Sequence, residues 1–582
     1  MKRNQSTPRI IILLLFLCIL FCSCGKAKPA SSESALDAAR AKEAERNAER
    51  EKEEQEEAQR EHHKKLAEGN VELSEYQFPS YGTISGCCFQ SDQKHITLDL
   101  EIPDIPKSDD AFIYLFAFET YDSDHKFDSM PVTSSEKATT CHLTWEYEEG
   151  QLFQEFVPAL LVEGEYVPIS TGSYITNPEM IASNQDSRLE VNSKKGLLID
   201  PETLETPLLE DLGVKHAIYN IPLSIILGET SNPACPTIYY DYRGKTYQFN
   251  GAAINGYDYL FSYLTSMDMI STAIILNDRN DNYPELIHPE SRNHDSGAYY
   301  YAFNTAEEDG CRYLEAIASF LTERYAGGEH GLVSNWIIAN EINQQTTWNY
   351  MDTDDVDYYA QEFEKSLRIF YNAAKSNYAN AKVYFSLDHD WNNNKGKNEV
   401  HFNGMDLLKA INQSALEKGN YDWGLAIHPY PNPLTRVNYW AVDYEKTMDA
   451  PLLTLMNLNV VTDFLKQREY LDRSGNVRSI TITELGFSSS SGEKLQAAAF
   501  AYGYYIIDAN PYIEAFIMNR QTDALEEVKQ GLSFGIYETD HSAKYILDVF
   551  KYIDTDRADE YMDFMLNILG ADSLEEAQEW AQ

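Results

Sequence analysis

At 582 residues the chain is longer than one ordinary domain, and a 43% hydrophobic content supplies a substantial core. Lys and Arg number 47 against 92 Asp and Glu, a formal net charge of −45. That balance excludes a surface built to neutralise nucleic-acid phosphates and disfavours electrostatic docking on anionic lipid. The 40 Tyr and 7 Trp pack cores as readily as they face sugars, so composition leaves function open.

The chain begins with Lys2, Arg3 and Arg9, an apolar run from Ile10 to Cys22, and then Ser23, Cys24 and Gly25. A basic start, a short apolar stretch and a small residue before the cut describe a secretory signal over residues 1–23. A cysteine after the cut resembles a bacterial lipobox, although Phe21 and Cys22 stand where that pattern has Leu and Ala or Ser. The expectation is a lipid on Cys24 and a protein anchored to the extracellular face of a bacterial cell membrane. The plainer alternative is an unmodified signal peptide or a single membrane anchor. Cys87, Cys88, Cys141, Cys235 and Cys311 are odd in number and show no metal-ligand spacing. Neither a zinc site nor a disulfide framework follows, with one bridge, from Cys141 to Cys87 or Cys88, left open.

Residues 24–71 are a charged spacer. From Ser31 to Asn70 Glu, Lys, Arg and Ala dominate and no heptad seam is present, which reads as a solvated single helix or a disordered tether. Residues 72–190 change texture to short alternating segments such as HITLDLEI, AFIYLFAFETY and CHLTWEYEE. Period-two patterning between turns predicts an antiparallel β-sandwich, either a carbohydrate binder or a support packed on the next domain.

Over residues 191–553 strand-like runs alternate with helical ones. The strands expected are Gly196–Ile199, Lys215–Pro222, Ser271–Asn277, Ser334–Asn340, Lys382–Asp388, Trp423–His428, Arg478–Thr483 and Ile513–Met518. Amphipathic segments lie between them, among them Gly310–Tyr325, Val356–Ser376 and Lys494–Ile507, and TIYYDYRGKTYQF reads as a hairpin insertion. Eight β-then-α units predict an α/β fold, a (β/α)₈ TIM barrel. Residues 554–582 read as a C-terminal helical tail.

The active site of such a barrel lies at the C-terminal ends of its strands. Four consecutive strands end alike: NWIIANEIN, VYFSLDHDW, WGLAIHPYP and SITITELGF each pass from an apolar run to a polar cluster. Glu341, Asp388, His428 and Glu484 then fall at one residue per βα unit. A polar side chain inside a buried run needs a partner, and four at one height point to a shared site. Glu341 and Glu484, on strands that face each other across the mouth, suit the paired carboxyl groups of a retaining glycosidase.

With those motifs in place the sequence resembles the clan-A retaining glycoside hydrolases, from Lys194 to about Tyr537, in a less characterised bacterial branch. Asn340-Glu341 matches that clan's Asn-Glu pair after the fourth strand, and Glu484 its glutamate after the seventh. The resemblance implies Glu341 as acid/base, Glu484 as nucleophile and Asn340 as partner of the sugar 2-hydroxyl. It places His428 and Tyr430 near nucleophile and substrate. Trp348, His389 and Trp391 follow the relevant strand ends and are candidate sugar contacts. The departure is after the eighth strand, where the clan often has Trp and this chain reads FIMNRQTD; Arg520 and Asp523 there either bind substrate or brace the fold.

The implied function is hydrolysis of O-glycosidic bonds of extracellular glycans by double displacement, with no cofactor and no metal. Asp388, His389 and Asp390 are adjacent in sequence, so they converge poorly on one ion. Carbohydrate is the expected partner, and no obligate protein partner is evident. The rival is a non-catalytic glycan-binding lipoprotein on a degenerate barrel. A solute-binding protein would need two hinged lobes, against which the run of single βα units counts.

Overall fold

The computed structural model describes residues 32–293, 296–394 and 396–582, so the signal peptide expected over residues 1–23 and Cys24 lie outside the described residues. The chain divides into one unit through Lys65 and a second from Leu66 to Gln582. In the first, the charged spacer is helical: one helix runs from Ser32 to Glu68. Arg50 and Arg60 reach Glu54 and Glu56 across one turn, at 3.4 and 3.7 Å. Such exposed pairs add only ~0.2–0.5 kcal/mol each, so helix propensity carries most of the helix. Among the described residues no helix is long and apolar enough to cross a membrane.

The second unit opens with two antiparallel sheets. Strands β1 (Thr83–Phe89), β2 (His95–Glu101) and β5 (Thr140–Glu146) form one, in the order β1-β2-β5. Strands β3 (Phe112–Phe118), β4 (Thr133–Glu136), β6 (Glu155–Val162) and β7 (Glu165–Pro168) form the other, in the order β4-β3-β6-β7. Alternation in β2 and β5 buries Ile96, Leu98, Leu100, Leu143 and Trp145 on one face, where Trp145 meets Phe156 of β6 at 4.5 Å. β6 is buried on both faces because Phe127, Tyr114 and Tyr166 cover its outer side. Cys87, Cys88 and Cys141 remain free, with β2 lying between the strands that carry them, so the bridge left open by the sequence is not formed.

This sandwich is packed on the barrel. Glu155 is buried and binds Lys418 of the barrel at 2.5 Å, and Arg473 reaches back to Glu179 at 3.2 Å while holding Asp422 at 2.8 Å. Backbone joins backbone where Tyr174 N–H donates to the Lys418 carbonyl at 2.9 Å.

The barrel is closed and parallel. Its strands are β8 (Lys195–Leu198), β9 (His216–Pro222), β12 (Ile270–Leu276), β13 (Asn335–Ile338), β14 (Lys382–Leu387), β15 (Trp423–Ile427), β16 (Ile480–Leu485) and β17 (Ile513–Met518), β17 pairing back to β8. The insertion is the hairpin β10 (Ile238–Tyr242) and β11 (Lys245–Phe249). Ile218, Ile274, Leu276, Ile337, Tyr384, Ala426, Ala515 and Ile517 fill the interior, so the barrel is a packed core and not a pore. Outer helices include Glu308–Arg324, Val356–Asn377 and Glu493–Asp508. The second of these starts where the Asp355 carboxylate accepts from the N–H groups of Asp357 and Tyr358. Two C-terminal helices, Asp559–Leu569 and Leu574–Glu579, follow, and Tyr502 fixes the last by donating to the Ala577 carbonyl at 2.5 Å.

Two strands end two residues away from the sequence expectation, and the other six end within one residue of it. β13 stops at Ile338, because Ala339 and Glu341 turn into the left-handed region with φ of 63° and 37°. β16 continues to Leu485 and carries Glu484 inside the strand.

Candidate active site

The turn after β13 presents Glu341. Left-handed backbone at non-glycine residues is costly and persists only where the surroundings over-determine it. Here they do. Glu341 N–H donates to the Ser386 hydroxyl at 2.9 Å, and Ile342 N–H to the Ser386 carbonyl at 3.0 Å, docking the turn onto β14. Asn343 and Asp388 then exchange hydrogen bonds: the amide donates to Asp388 Oδ1 at 2.5 Å, and Asp388 N–H donates back to Asn343 Oδ1 at 3.0 Å. Gln344 adds a bond to Asp388 Oδ2 at 2.7 Å and to Asp390 Oδ2 at 2.9 Å. Asp388 therefore braces the Glu341 turn.

His428 follows β15 and is fully buried. Its Nδ1 lies 2.8 Å from Glu341 Oε1 and 3.8 Å from Glu484 Oε2, while Nε2 lies 3.0 Å from the Thr483 hydroxyl. The two carboxylate oxygens are thus no farther apart than those first two distances laid end to end. That limit stands at the short edge of the roughly 6.5–9.5 Å that leaves room for a water between carboxyl groups. Tyr430 donates to Glu484 Oε1 at 3.0 Å, and Asn519, just past β17, donates to the same oxygen at 3.2 Å and to the Tyr430 hydroxyl at 2.9 Å. Both donors take Oε1.

The two glutamates differ in exposure: the Glu341 side chain is 13% exposed and that of Glu484 34%. Burial is the largest influence on the Glu341 carboxyl and holds it above the ordinary glutamate value; the hydrogen bond and charge of His428 oppose, while Asp388 and Glu484 add. Burial alone would push the His428 imidazole down. Its hydrogen bond to Glu341 and the charges of Glu484, Glu341 and Asp388 outweigh that and raise it above the ordinary histidine value. Burial and the neighbouring Glu484 charge push the Tyr430 hydroxyl well up, so it remains a proton donor. The arrangement therefore offers one buried carboxyl that keeps its proton unusually well, and one more open carboxyl with one oxygen tied down.

The structure brings together Glu341, Glu484, His428 and Tyr430, with Asn340 half-buried beside Glu341. Trp348 is half-buried and stacks on Tyr299. Trp391 does not reach this group. It is 1% exposed, donates its indole N–H to the Met448 carbonyl at 3.0 Å and packs edge-on against Phe464, so it belongs to the core and offers no face to a sugar. His389 is half-buried, and a ring nitrogen of its imidazole lies within 4.8 Å of carboxylate oxygens of Asp388 and Asp390. Those carboxylates already accept from Asn343, Gln344 and Asn393. After β17, Arg520 pairs with Glu527 at 2.5 Å. Asp523 is a brace, accepting from Gly535 N–H at 2.6 Å and holding the buried Lys544 at 2.7 Å.

Sequence reasoning missed Asn519, Ser386, Thr483 and Tyr300. For Asn519 the signal was present, since AFIMN passes from apolar run to polar residue as the other strand ends do. Ser386 and Thr483 each precede a motif residue by two or one positions and read as ordinary strand residues. Tyr300 lies in a long loop after β12 with no local pattern; burial and the charges of Asp278 and Glu484 raise its hydroxyl above the ordinary tyrosine value.

Residues 187–577 match DUF5722, described as a family of unknown function. Comparison with curated proteins finds no match. Among solved structures, a family 39 glycoside hydrolase from the gut symbiont Bacteroides cellulosilyticus WH2 is similar at 13% identity and a TM-score of 0.40, over 76% of this chain and 77% of that one. A family 1 β-glucosidase from Thermotoga maritima is similar at 12% identity and a TM-score of 0.36, over 62% and 86%. An exo-β-1,4-mannosidase from Opitutaceae bacterium strain TAV5 is similar at 11% identity and a TM-score of 0.37, over 66% and 63%. The likeness is one of fold.

Proposed function

We propose that this chain, which belongs to the DUF5722 family, is a retaining glycoside hydrolase acting on extracellular glycans. The observation that carries the proposal is the convergence of Glu341 and Glu484 on one imidazole nitrogen at the barrel mouth. Retaining glycosidases hold their two carboxyl groups ~5–5.5 Å apart, one acting as acid/base and one as nucleophile. Burial supports one division of roles. The acid must be protonated while its neighbour is ionised, and Glu341 is the carboxyl whose surroundings favour the proton.

Glu484, with Oε1 held by Tyr430 and Asn519, attacks the anomeric carbon through its other oxygen. The glycosidic C–O bond breaks as Glu341 gives its proton to the leaving oxygen, leaving a glycosyl ester on Glu484. Glu341, now a carboxylate, takes a proton from water; the water oxygen bonds to the anomeric carbon and the ester bond breaks. Two inversions give net retention. His428 holds Glu341 in place throughout, and the amides of Asn340 and Asn519 are the groups for sugar hydroxyls.

The test is trapping. Incubation with 2-deoxy-2-fluoro glycosyl fluorides is expected to add one glycosyl mass to the peptide containing Glu484, and NMR of a turned-over substrate to show the starting anomer first. Unchanged activity in Glu341→Gln or Glu484→Ala, or release of the inverted anomer, refutes the mechanism. Glycan binding without any turnover gives the non-catalytic reading instead. The membrane attachment is proposed on the leader motif: metabolic labelling with a palmitate analogue is expected to mark the wild type and not Cys24→Ser. Labelling of both refutes it.

A further inference from the structure

We propose that Tyr299 and Trp348 form a stacking subsite for the sugar unit on the leaving-group side of the scissile bond; this rests on the hydrolase reading above. The rings stack with centroids 4.8 Å apart and planes at 19°, and Tyr300 lies 5.9 Å from the indole. Tyr299 is 64% exposed although its backbone is hydrogen-bonded. Its N–H donates to the Thr347 carbonyl at 2.9 Å, Tyr350 N–H to the Tyr300 carbonyl at 2.9 Å, and Tyr301 N–H to the Asn277 carbonyl at 2.9 Å. The first two bonds tie the loop after β12 to the loop after β13 and hold the exposed Tyr299 ring on the half-buried Trp348. An aromatic ring held rigid and open to solvent is preorganised for a contact.

Its place relative to the chemistry follows from the chain. Gln344 N–H donates to the Glu341 carbonyl at 2.8 Å, and Trp348 N–H to the Gln344 carbonyl at 2.9 Å. Trp348 is therefore two successive turns from Glu341 on the same segment. The leaving oxygen must come within about 2.6–3.2 Å of the group that protonates it. On this proposal, whatever is attached to that oxygen lies along the segment that carries both Glu341 and the indole. The flat C–H face of a pyranose suits such a surface, and charge is not needed there.

Three leaving groups on the glycone that full-length protein hydrolyses best separate the possibilities: fluoride, 4-nitrophenolate and a second hexose. Fluoride has no ring to stack. Trp348→Ala and Tyr299→Ala are expected to lower kcat/KM for the disaccharide about tenfold, equivalent to ~1.4 kcal/mol, with the fluoride unchanged and Trp348→Phe largely restoring the loss. An equal fall on all three overturns the leaving-group assignment, since a glycone contact would serve every substrate. A fall confined to the nitrophenyl glycoside overturns the sugar as occupant, and no change in either variant overturns the subsite. If wild type turns over no glycosyl fluoride, the hydrolase reading fails and this assignment with it. Turnover with uniform effects removes the subsite alone.

Discussion

His428→Asn is the sharpest perturbation of the carboxylate pair. Asparagine leaves an amide near the position of Nδ1 and removes the positive charge. The imidazole stands 2.8 Å from Glu341 Oε1 and is fully buried, and its charge favours the ionised form of that carboxyl. Unit charges about 4 Å apart interact by about 4 kcal/mol at an effective dielectric of about 20. That energy is a ceiling, which relaxation and entering water reduce. The sign follows directly. Without His428 the Glu341 proton is held more tightly, the acid form persists to higher pH, and the alkaline limb of kcat/KM moves up. The assay is a pH profile with an alkyl or sugar leaving group, so that protonation limits the rate. The maximal rate falls as well, because a tighter acid parts less readily with its proton. An alkaline limb that stays in place, or moves to lower pH, refutes the assignment of Glu341 as acid and of His428 as the cation beside it.

Three further substitutions follow from single contacts. Tyr430→Phe deletes the hydroxyl 3.0 Å from Glu484 Oε1. A hydrogen bond to a charged group is worth ~1.5–3 kcal/mol, so kcat/KM is expected to fall about 10–100-fold with the melting temperature little changed; a fall in melting temperature alone would make Tyr430 structural. Asp388→Ala frees the amides of Asn343 and Gln344 and lets the Glu341 turn relax, lowering kcat about tenfold or more, as a 1 Å misplacement does, with KM near wild type. A rise in KM with unchanged kcat would mean that Asp388 binds sugar instead. Trp391→Ala empties a core site and is expected to cost ~3–5 kcal/mol in urea unfolding, while Trp391→Phe leaves kinetics on oligosaccharides unchanged; selective loss of oligosaccharide turnover in Trp391→Phe would return that ring to the site.

The barrel was legible because its signal is repeated. Every strand is a short apolar run of the length a parallel strand needs, and the helices between them carry their own period, so eight imperfect readings reinforce one another. Glu341, His428, Tyr430 and Glu484 were legible for a related reason: a polar residue that ends a buried run stands out against it. The same rule misjudged Trp391, because position after a strand says where a side chain begins and not where it points. Trp391 and Trp348 each follow a barrel strand, yet one is pinned by the Met448 carbonyl and Phe464 and the other stacks on Tyr299. Those partners come from other loops, Met448 after β15 and Tyr299 after β12, and no local pattern announces them.

The roles proposed for the two glutamates illustrate what tertiary structure adds to such a reading. Glu341 and Glu484 are the same residue at the same kind of position, and their side chains differ through their surroundings alone. Left-handed backbone at Ala339 and Glu341 folds the first glutamate inward against His428, whereas Glu484 stays in its strand, more open, under Tyr430 and Asn519. The bracing of that turn by Ser386, Asn343 and Asp388 is thus upstream of the acid/base assignment: release the turn and Glu341 loses burial, the largest influence that keeps its proton. Asp388→Ala and His428→Asn should accordingly act on the alkaline limb in opposite directions. Loosening the turn lets water reach the carboxyl and lowers the limb, while deleting the cation raises it.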